Sequence, residues 1–402
     1  MIKQRLISVR SERCLDCGFC RQYVACSLRK TGCIGCGVCI KGCPQGAIDL
    51  QPRTAPGSSI KFKVDGDACQ IEGPLSVLHA LEELGFPVKN QMTVNDPADA
   101  FCATGGCWNC AVVIDGALLP SCITPVREGM EIDLNPDKIQ RSEPLRIVTL
   151  MRPAPHYHPS IFTHGCNFSC DLCHNWNLTF SSVGRTISPE KTVAGLNLDL
   201  EEDYWVGISG GEPTLNRRWL VETVRELRLA APDIRIQLDT NASLLTPDYI
   251  DELVEAGITD ISPDLKAKGP DTFMKVCGIT SEKTARDYLE TSWEAVRYLN
   301  DAYGDQIFMA VSVPCHPNSH SVKELEEIAQ TIVSINPDIP VTLIEYQPAF
   351  RLRDWPFVSR KAMDQVLKVF ETIGLSRVIV QGGTEIPRAM DPMDLALSSE
   401  EF

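Results

Sequence analysis

Apolar runs and polar segments alternate through residues 156–385 of the chain. Helical segments separate the runs, and such alternation predicts right-handed strand-helix-strand units around a parallel sheet, either closed or open. The active site of such a sheet lies at the carboxyl ends of its strands. The runs predicted as strands are SIFTHG, YWVGISG, IRIQLDTN, DISPDLKA, QIFMAVSVP and PVTLIEYQ, with RVIVQG as a further candidate.

Shorter elements are predicted between residues 60 and 134. IKFKVDG alternates in period two, turns at Asp65-Gly66 and resumes at ACQIEG, which predicts a β-hairpin. The leucines of PLSVLHALEELG recur at helical spacing and Gly85 is a candidate C-cap, so a helix is expected next. Residues 101–134 are expected to form cysteine-rich loops and short strands.

The first 55 residues show little apolar periodicity and hold eight of the chain's 18 cysteines. Such a segment is too small to form a core without metal centres. The Pro, Gly and Ser residues of QPRTAPGSS, residues 51–59, predict a linker, and a second Pro-rich break lies at 153–155. The predicted domains are therefore 1–55, 60–136 and 156–385.

Composition narrows the functional classes. The 402-residue chain carries a formal net charge of -15, which opposes non-specific binding to nucleic acid or to anionic membranes. No apolar run reaches the roughly 18 residues that span a bilayer, so a cytoplasmic protein is expected. In a reducing cytosol, closely spaced cysteines indicate thiolate metal ligands rather than disulfides.

The first cysteine group contains two closely spaced runs. Cys14-x2-Cys17-x2-Cys20 is followed by a second run that closes at Cys43-Pro44. The group resembles bacterial two-cluster ferredoxins, in which each 4Fe-4S cluster takes its fourth thiolate from the other run. The first run departs from that family, since five residues separate Cys20 from Cys26 and no proline follows. Structural zinc is the alternative, but triple runs favour iron. The resemblance implies one ligand set of Cys14, Cys17, Cys20 and Cys43 and another of Cys33, Cys36, Cys39 and Cys26.

The second group has the C-x4-C-x2-C spacing of plant-type 2Fe-2S ferredoxins, with a fourth cysteine across a predicted hairpin. Gly105 and Gly106 would let the loop backbone approach the cluster. Residues 60–134 resemble the β-grasp ferredoxin domains of formate dehydrogenase and hydrogenase-type subunits. Cys69 and His79 lie outside the motif; Cys69 is interpreted as a small buried apolar residue and His79 as a surface or packing residue. The predicted ligands are Cys102, Cys107, Cys110 and Cys122.

The third group, Cys166, Cys170 and Cys173, has the C-x3-C-x2-C spacing typical of the radical S-adenosylmethionine (SAM) superfamily. The resemblance implies a partial (β/α)6 barrel and a 4Fe-4S cluster with one open iron that binds SAM. Structural zinc is again the alternative, but it needs a fourth ligand, and the adjacent His174 would strain to reach back.

Further signatures follow the next predicted strands. Gly210-Gly211-Glu212-Pro213 ends the second strand, Asp239-Thr240-Asn241 the third and Asp264-Leu265-Lys266 the fourth. Together with the Cys173-His174-Asn175 sequence, they resemble glycyl-radical-enzyme activases such as pyruvate formate-lyase activating enzyme. Ala242 stands where that family often has glycine. The SAM contacts that the resemblance implies are Gly210, Gly211, Glu212, Pro213, Asp239, Asn241, Asp264 and Lys266.

Other polar and thiol side chains have two interpretations each. His316 and His320 would either reach SAM or substrate, or belong to a polar loop before a helix. Cys277 and Cys315 would be either radical-bearing cysteines or buried structural thiols, and base rates favour the second.

The combined prediction is an oxidoreductase with three 4Fe-4S clusters, one 2Fe-2S cluster and SAM. An external donor, either a ferredoxin, a flavodoxin or a redox enzyme, would reduce the N-terminal clusters. SAM would then give a 5′-deoxyadenosyl radical that takes a hydrogen atom from a substrate. The activase resemblance implies a glycine of a partner glycyl radical enzyme, while a small molecule or another protein residue stays open. A different class, an electron-transfer module without SAM chemistry, would have no need of GGEP or DLK.

Overall fold

The structure is a computed structural model that describes residues 6–24, 26, 32–53, 57–86, 102–151 and 158–382. It divides into two compact units, Met1–Asn167 with Leu178–Ile234 and Phe168–Asn177 with Arg235–Phe402. None of the helices in these ranges is long and apolar enough to cross a membrane.

The N-terminal segment folds around a two-stranded antiparallel sheet. β1 (Leu6–Arg10) pairs with β2 (Ile48–Pro52), and the short helices α1 (Phe19–Gln22) and α2 (Val38–Lys41) lie between them in sequence. Neither strand was predicted, and the linker prediction for 51–59 is wrong at both ends. β2 ends at Pro52, since the end of an edge strand tolerates a proline. The next strand begins at Ser58. Residues 54–56 lie outside the described ranges.

The next segment is a five-stranded mixed sheet covered by a helix, as a β-grasp domain requires. The strand order is β4-β3-β7-β5-β6, and β3 runs parallel to β7. The predicted hairpin is confirmed, with Asp65 (φ 51°) and Gly66 (φ 91°) in its turn. The elements are β3 Ser58–Val64, β4 Asp67–Gly73, α3 Val77–Leu84, β5 Ala111–Ile114, β6 Ala117–Pro120, β7 Glu131–Asp133 and α4 Pro136–Arg141.

Helix α3 is also confirmed. It begins after Ser76, whose Oγ accepts a hydrogen bond from the His79 amide, and ends at Gly85 (φ 80°). Its apolar face packs on the sheet, and Leu81 is completely buried there. Cys69 is half-buried against this core, so it is a packing residue at its margin.

The rest of the first unit carries the start of the strand-helix alternation. β9 (Ser160–Thr163) runs parallel to β11 (Trp205–Gly210), as predicted, and Gly210 lies opposite Thr163. Two unpredicted antiparallel strands extend the sheet, since β8 (Arg146–Met151) pairs with β9 and β10 (Arg185–Ile187) pairs with β8. The helices are α5 Trp176–Thr179, which crosses from one unit to the other, α6 Pro189–Gly195 and α7 Arg217–Ala230.

The second unit continues the alternation with parallel strands. The predicted run QIFMAVSVP divides into two strands, and the predicted seventh strand is present. An isolated parallel bridge joins Asp264 to Ser312, and the Leu265 amide donates to the Ser312 carbonyl. The elements are β12 Arg235–Thr240, α8 Pro247–Ala256, β13 Asp260–Pro263, α9 Pro270–Cys277, α10 Glu282–Tyr303, β14 Phe308–Met309, β15 Val311–Cys315, α11 Val322–Ile335, β16 Val341–Glu345, α12 Arg360–Ile373 and β17 Val378–Gln381.

Candidate functional site

The four cysteines predicted to hold the 2Fe-2S cluster are all buried, with at most 4% of any residue exposed. The amides of Thr104 and Cys107 donate to Cys102 Sγ at 3.4 and 3.5 Å. The Asn109 amide donates to Cys107 Sγ at 3.5 Å. Burial raises the pKa of Cys102, but hydrogen bonds from Cys107 and Thr104 outweigh it and hold that pKa well below its ordinary value. Buried thiolates that accept backbone amides fit an iron-sulfur cluster.

Both glycines of this loop are constrained by protein neighbours. A Cβ on Gly105 would lie 2.3 Å from Ile123 Cδ1. A Cβ on Gly106 would lie 2.7 Å from the carbonyl carbon of His164. The structure therefore gives a second reason for glycine at these two positions, which is close packing against Ile123 and His164.

The N-terminal cysteines form two neighbouring groups. Cys43 is buried in a cluster that also contains Cys39, and Cys14 and Cys20 pack against this cluster. Cys20 Sγ accepts a hydrogen bond from Arg10 Nη2 at 3.2 Å. This grouping is compatible with the predicted ligand set that joins Cys43 to the first run.

In the other group, Cys33 and Cys39 both hydrogen-bond to Ser8 of β1. The Ser8 amide donates to Cys33 Sγ at 3.3 Å, and the Cys39 thiol donates to Ser8 Oγ at 3.2 Å. Burial raises the pKa of Cys36 to about 11, and the nearby Cys39 and Cys26 add to that shift. Cys26 therefore lies close to the second run, where the resemblance places it, and its role as a ligand stays a prediction.

The C-x3-C-x2-C motif has half-buried cysteines throughout. Cys166 belongs to the first unit, whereas Cys170 and Cys173 belong to the second. In the second unit, a hydrogen bond with Cys277 lowers the pKa of Cys170, and the positive charge of Lys266 acts in the same direction. Cys277 itself is fully buried, and its contact with a motif cysteine was not predicted from the sequence.

The Gly210–Pro213 turn is built directly on the strand that leads to Cys166. The Gly211 amide donates to the Thr163 carbonyl at 2.7 Å, and the Glu212 amide donates to the Gly165 carbonyl at 2.8 Å. Gly210 has φ 116°, and a Cβ on Gly211 would lie 2.2 Å from the Gly165 oxygen. Glycine is therefore required at both positions of the turn.

Sequence reasoning missed two residues here, Arg146, which bonds to this turn, and Asn216, which follows it. Arg146 is completely buried, and its guanidinium donates at 2.5 Å to the carbonyls of both Glu212 and Pro213. Asn216 Nδ2 donates to the Cys107 carbonyl at 3.0 Å. Asn216 also caps α7, a role that its position before RRWLVETV could have indicated. An arginine at the start of an apolar strand gives no comparable signal.

The Asp264-Leu265-Lys266 signature forms a polar cluster in the second unit. Lys266 Nζ contacts Asp264 Oδ2 at 2.7 Å and the Tyr346 hydroxyl at 3.4 Å, and its side chain is 12% exposed. Burial lowers the pKa of Lys266, but Asp264, Tyr346 and Cys170 together raise it well above its ordinary value. Lys266 is therefore a largely buried, positively charged group suited to a carboxylate ligand.

At the end of β12, polar side chains hydrogen-bond to neighbouring residues of the same segment. Asn241 Oδ1 accepts hydrogen bonds from the Ser243 amide at 3.0 Å and from Ser243 Oγ at 2.6 Å. Asp239 Oδ1 accepts from Gln237 Nε2 at 2.6 Å. Ala242 adopts φ 56°, the left-handed region that favours the glycine common in the activase family.

His316 and His320 are buried rather than solvent-facing, and the ring of each contacts backbone groups of other residues. His316 Nε2 lies 3.0 Å from the Pro356 carbonyl, and its Nδ1 accepts from the Asn318 amide. His320 Nε2 lies 3.0 Å from the Lys266 carbonyl, so His320 positions the DLK loop. His174 makes a similar contact, with Nε2 3.1 Å from the Gln347 carbonyl.

We expect the cysteines outside the cluster motifs to differ in reactivity. Burial raises the pKa of Cys315 to about 12, with Glu345 adding to the shift, whereas Cys69 is half-buried. Iodoacetamide at about pH 8.5, the ordinary thiol pKa, should therefore label Cys69 and leave Cys315 unmodified until the protein is unfolded. Peptide mapping by mass spectrometry measures both. Equal labelling in the folded protein would contradict the buried structural assignment of Cys315.

Comparison with known families matches the second and third cysteine groups and, within the first group, the run from Cys33 to Cys43. Residues 160–338 match the radical SAM superfamily, residues 57–136 match the 2Fe-2S iron-sulfur cluster binding domain, and residues 32–74 match the 4Fe-4S dicluster domain.

Curated relatives of two kinds are similar to part of this chain. A probable GTP 3′,8-cyclase of Saccharolobus solfataricus is 36% identical over 125 residues, which are 29% of this chain and only 37% of that protein. A Methanocaldococcus jannaschii protein assigned as a glycyl-radical enzyme activating enzyme is 26% identical over 173 residues, 43% of this chain and 67% of that protein.

Solved structures also match. A domain of pyruvate-formate lyase-activating enzyme from Bacteroides vulgatus is 18% identical with a TM-score of 0.35, covering 44% of this chain and 98% of that one. Streptococcus suis SuiB is 13% identical with a TM-score of 0.43, covering 55% and 48%. The three family matches identify a radical SAM domain in this chain, preceded by 4Fe-4S and 2Fe-2S ferredoxin domains.

Proposed function

We propose that this enzyme reductively cleaves SAM to methionine and a 5′-deoxyadenosyl radical, and that the radical abstracts a hydrogen atom from a substrate. The observation that carries the proposal is the GGEP turn, because its amides bond to the Thr163 and Gly165 carbonyls just before Cys166. An electron-transfer module has no use for such a turn. When bound, a 4Fe-4S cluster with one open iron supplies the electron and the coordination site for this cleavage.

The chain's own residues would bind and orient SAM. Cys166, Cys170 and Cys173 are the proposed cluster ligands, and the Gly210–Pro213 backbone would receive the SAM amino group. Lys266, held charged beside Asp264, would pair with the SAM carboxylate. Asp239 and Asn241, at the end of β12, are the remaining proposed contacts.

Replacing Lys266 with methionine tests the proposed carboxylate contact. A hydrogen bond to a charged group contributes about 1.5 to 3 kcal/mol, so the Kd for SAM should rise roughly tenfold to a hundredfold. Lys268→Met is the matched control. Lys268 lies two residues after Lys266, but its Nζ lies over the Trp293 ring. Equilibrium binding of SAM to both variants decides the matter. Equal affinities would remove Lys266 from the SAM site.

The preferred substrate is a glycine of a partner glycyl radical enzyme. The match to the M. jannaschii activating enzyme, which extends over 67% of that protein, supports this choice. The reduced chain should be mixed anaerobically with SAM and a candidate glycyl radical enzyme. A doublet glycyl signal by electron paramagnetic resonance (EPR) is the expected result. Formation of 5′-deoxyadenosine without that signal would exclude this substrate and leave SAM cleavage standing.

A small-molecule substrate is the second candidate. The 36% identity to GTP 3′,8-cyclases over 125 residues supports it, although the match spans only 37% of the S. solfataricus protein. Incubation with GTP, SAM and reductant should give no cyclised nucleotide if a partner protein is the substrate. A GTP-derived product by mass spectrometry would favour the small-molecule reading instead.

The proposed partners are an electron donor and the substrate protein. A low-potential ferredoxin, a flavodoxin or a redox enzyme would reduce the N-terminal clusters, and the two ferredoxin-type matches support such a donor.

A further inference from the structure

The 2Fe-2S loop, residues 102–110, packs against the backbone that leads to the radical SAM motif. A Cβ on Gly106 would lie 2.8 Å from the Gly165 amide nitrogen. A Cβ on Gly165 would lie 2.9 Å from Cys102 Sγ. Gly165 and Cys166 are adjacent, and consecutive Cα atoms are about 3.8 Å apart. Cys102, a predicted 2Fe-2S ligand, therefore packs against the residue next to Cys166, a predicted ligand of the SAM-binding cluster.

Hydrogen bonds hold this contact in place. The Ile147 amide donates to the Gly106 carbonyl at 3.1 Å, next to Arg146, which binds the GGEP turn. From the other side, Asn216 Nδ2 donates to the Cys107 carbonyl. The 2Fe-2S loop is thus bonded to β8, which pairs with the strand before the motif, and to Asn216, which follows the GGEP turn by three residues.

The N-terminal segment reaches the same loop. Lys41, the last residue of α2, donates from Nζ to the Cys102 carbonyl at 2.9 Å. Helix α2 also contains Cys39, a predicted 4Fe-4S ligand. Other contacts bypass the loop. Ser181 Oγ and the Ser182 amide donate to the Tyr23 carbonyl at 3.1 and 2.9 Å, and a Cβ on Gly42 would lie 3.2 Å from Phe180 Cβ. None of these residues is a predicted cluster ligand.

We propose an ordered relay in which the 2Fe-2S cluster is the immediate electron donor to the cluster that Cys166 ligates, and the 4Fe-4S segment reduces the 2Fe-2S cluster. This rests on the proposed function for the identity of the final acceptor. In the last transfer one electron leaves the reduced 2Fe-2S cluster and enters the SAM-binding 4Fe-4S cluster. No bond forms or breaks, and the ultimate reductant is a one-electron carrier of the ferredoxin class.

Rapid-freeze-quench EPR tests the order. The full reconstituted chain is mixed with a reduced ferredoxin, without SAM, and the signals of the clusters are followed in time. The 2Fe-2S signal should appear before that of the SAM-binding cluster. In Cys122→Ser, reduction of the SAM-binding cluster should slow by about tenfold or more. Prolonged dithionite should still reduce that cluster fully, which verifies that it is assembled.

A milder pair of variants tests the same relay without removing a ligand. Lys41→Met should slow the appearance of the 2Fe-2S signal and leave the later transfer unchanged. Lys63→Met is the matched control, because Lys63 pairs with Glu131 on the exposed face of the same domain. An unchanged SAM-cluster reduction rate in Cys122→Ser, or a SAM-cluster signal that precedes the 2Fe-2S signal, would overturn the proposal in favour of direct transfer from the 4Fe-4S segment. No readout requires SAM cleavage, so failure of the relay and failure of the proposed function are distinguished.

Discussion

Cys170→Ala should abolish 5′-deoxyadenosine formation. Two thiolates cannot hold a 4Fe-4S cluster, so the variant should lose about four irons per chain. The four buried cysteines predicted to hold the 2Fe-2S cluster belong to the other compact unit. The visible and EPR spectra of the 2Fe-2S cluster should therefore be unchanged. Iron analysis, EPR and product quantification by liquid chromatography measure the three consequences.

Cys277→Ala is the matched control for this variant. Cys277 is fully buried and hydrogen-bonds Cys170, but it lies outside the C-x3-C-x2-C motif. We expect it to keep the full iron content and most of the activity, as a structural thiol would. Cleavage that persists in Cys170→Ala, or a loss of four irons in Cys277→Ala, would contradict the predicted ligand set.

Gly211→Ala should weaken SAM binding strongly while leaving the clusters assembled. The added Cβ would lie 2.2 Å from the Gly165 oxygen and 2.7 Å from its carbonyl carbon, both backbone atoms that cannot rotate away. The turn must therefore move, and it would break the hydrogen bond from the Glu212 amide to Gly165. We expect the Kd for SAM to rise by roughly a hundredfold or more, measured by equilibrium binding to the reconstituted protein.

Gly207→Ala separates this effect from a general disturbance of β11. Gly207 lies in the same strand, and its added Cβ would meet only Ser160 Oγ, at 3.4 Å. SAM affinity should then stay close to that of the unaltered protein. If both variants bind SAM normally, the GGEP turn is not part of the SAM site.

The strand-helix alternation could be predicted because its apolar runs are uninterrupted and separated by helical segments. The strands that were missed lack such a signal. β10 has only three residues, Arg185–Ile187, and β8 begins with the buried Arg146. β1 and β2 lie in the cysteine-rich first 55 residues, which show too little apolar periodicity to predict a strand.

The candidate ligands could be predicted because cluster cysteines are spaced by the chemistry of the cluster. The residues that position the site could not. Arg146 acts on Glu212, 66 positions away, and Asn216 acts on Cys107, 109 positions away. Such contacts depend on the folded chain, so no local pattern reveals them. The proximity of the 2Fe-2S loop to Gly165 is of the same kind.

Product analysis of the anaerobically reconstituted, reduced full-length chain tests the central claim most directly. After incubation with SAM and dithionite, methionine and 5′-deoxyadenosine should accumulate in equal amounts, and omission of reductant should prevent both. Absence of 5′-deoxyadenosine from fully loaded, reduced protein, both alone and with the candidate glycyl radical enzyme, would contradict the assignment of SAM-cleaving chemistry to this chain.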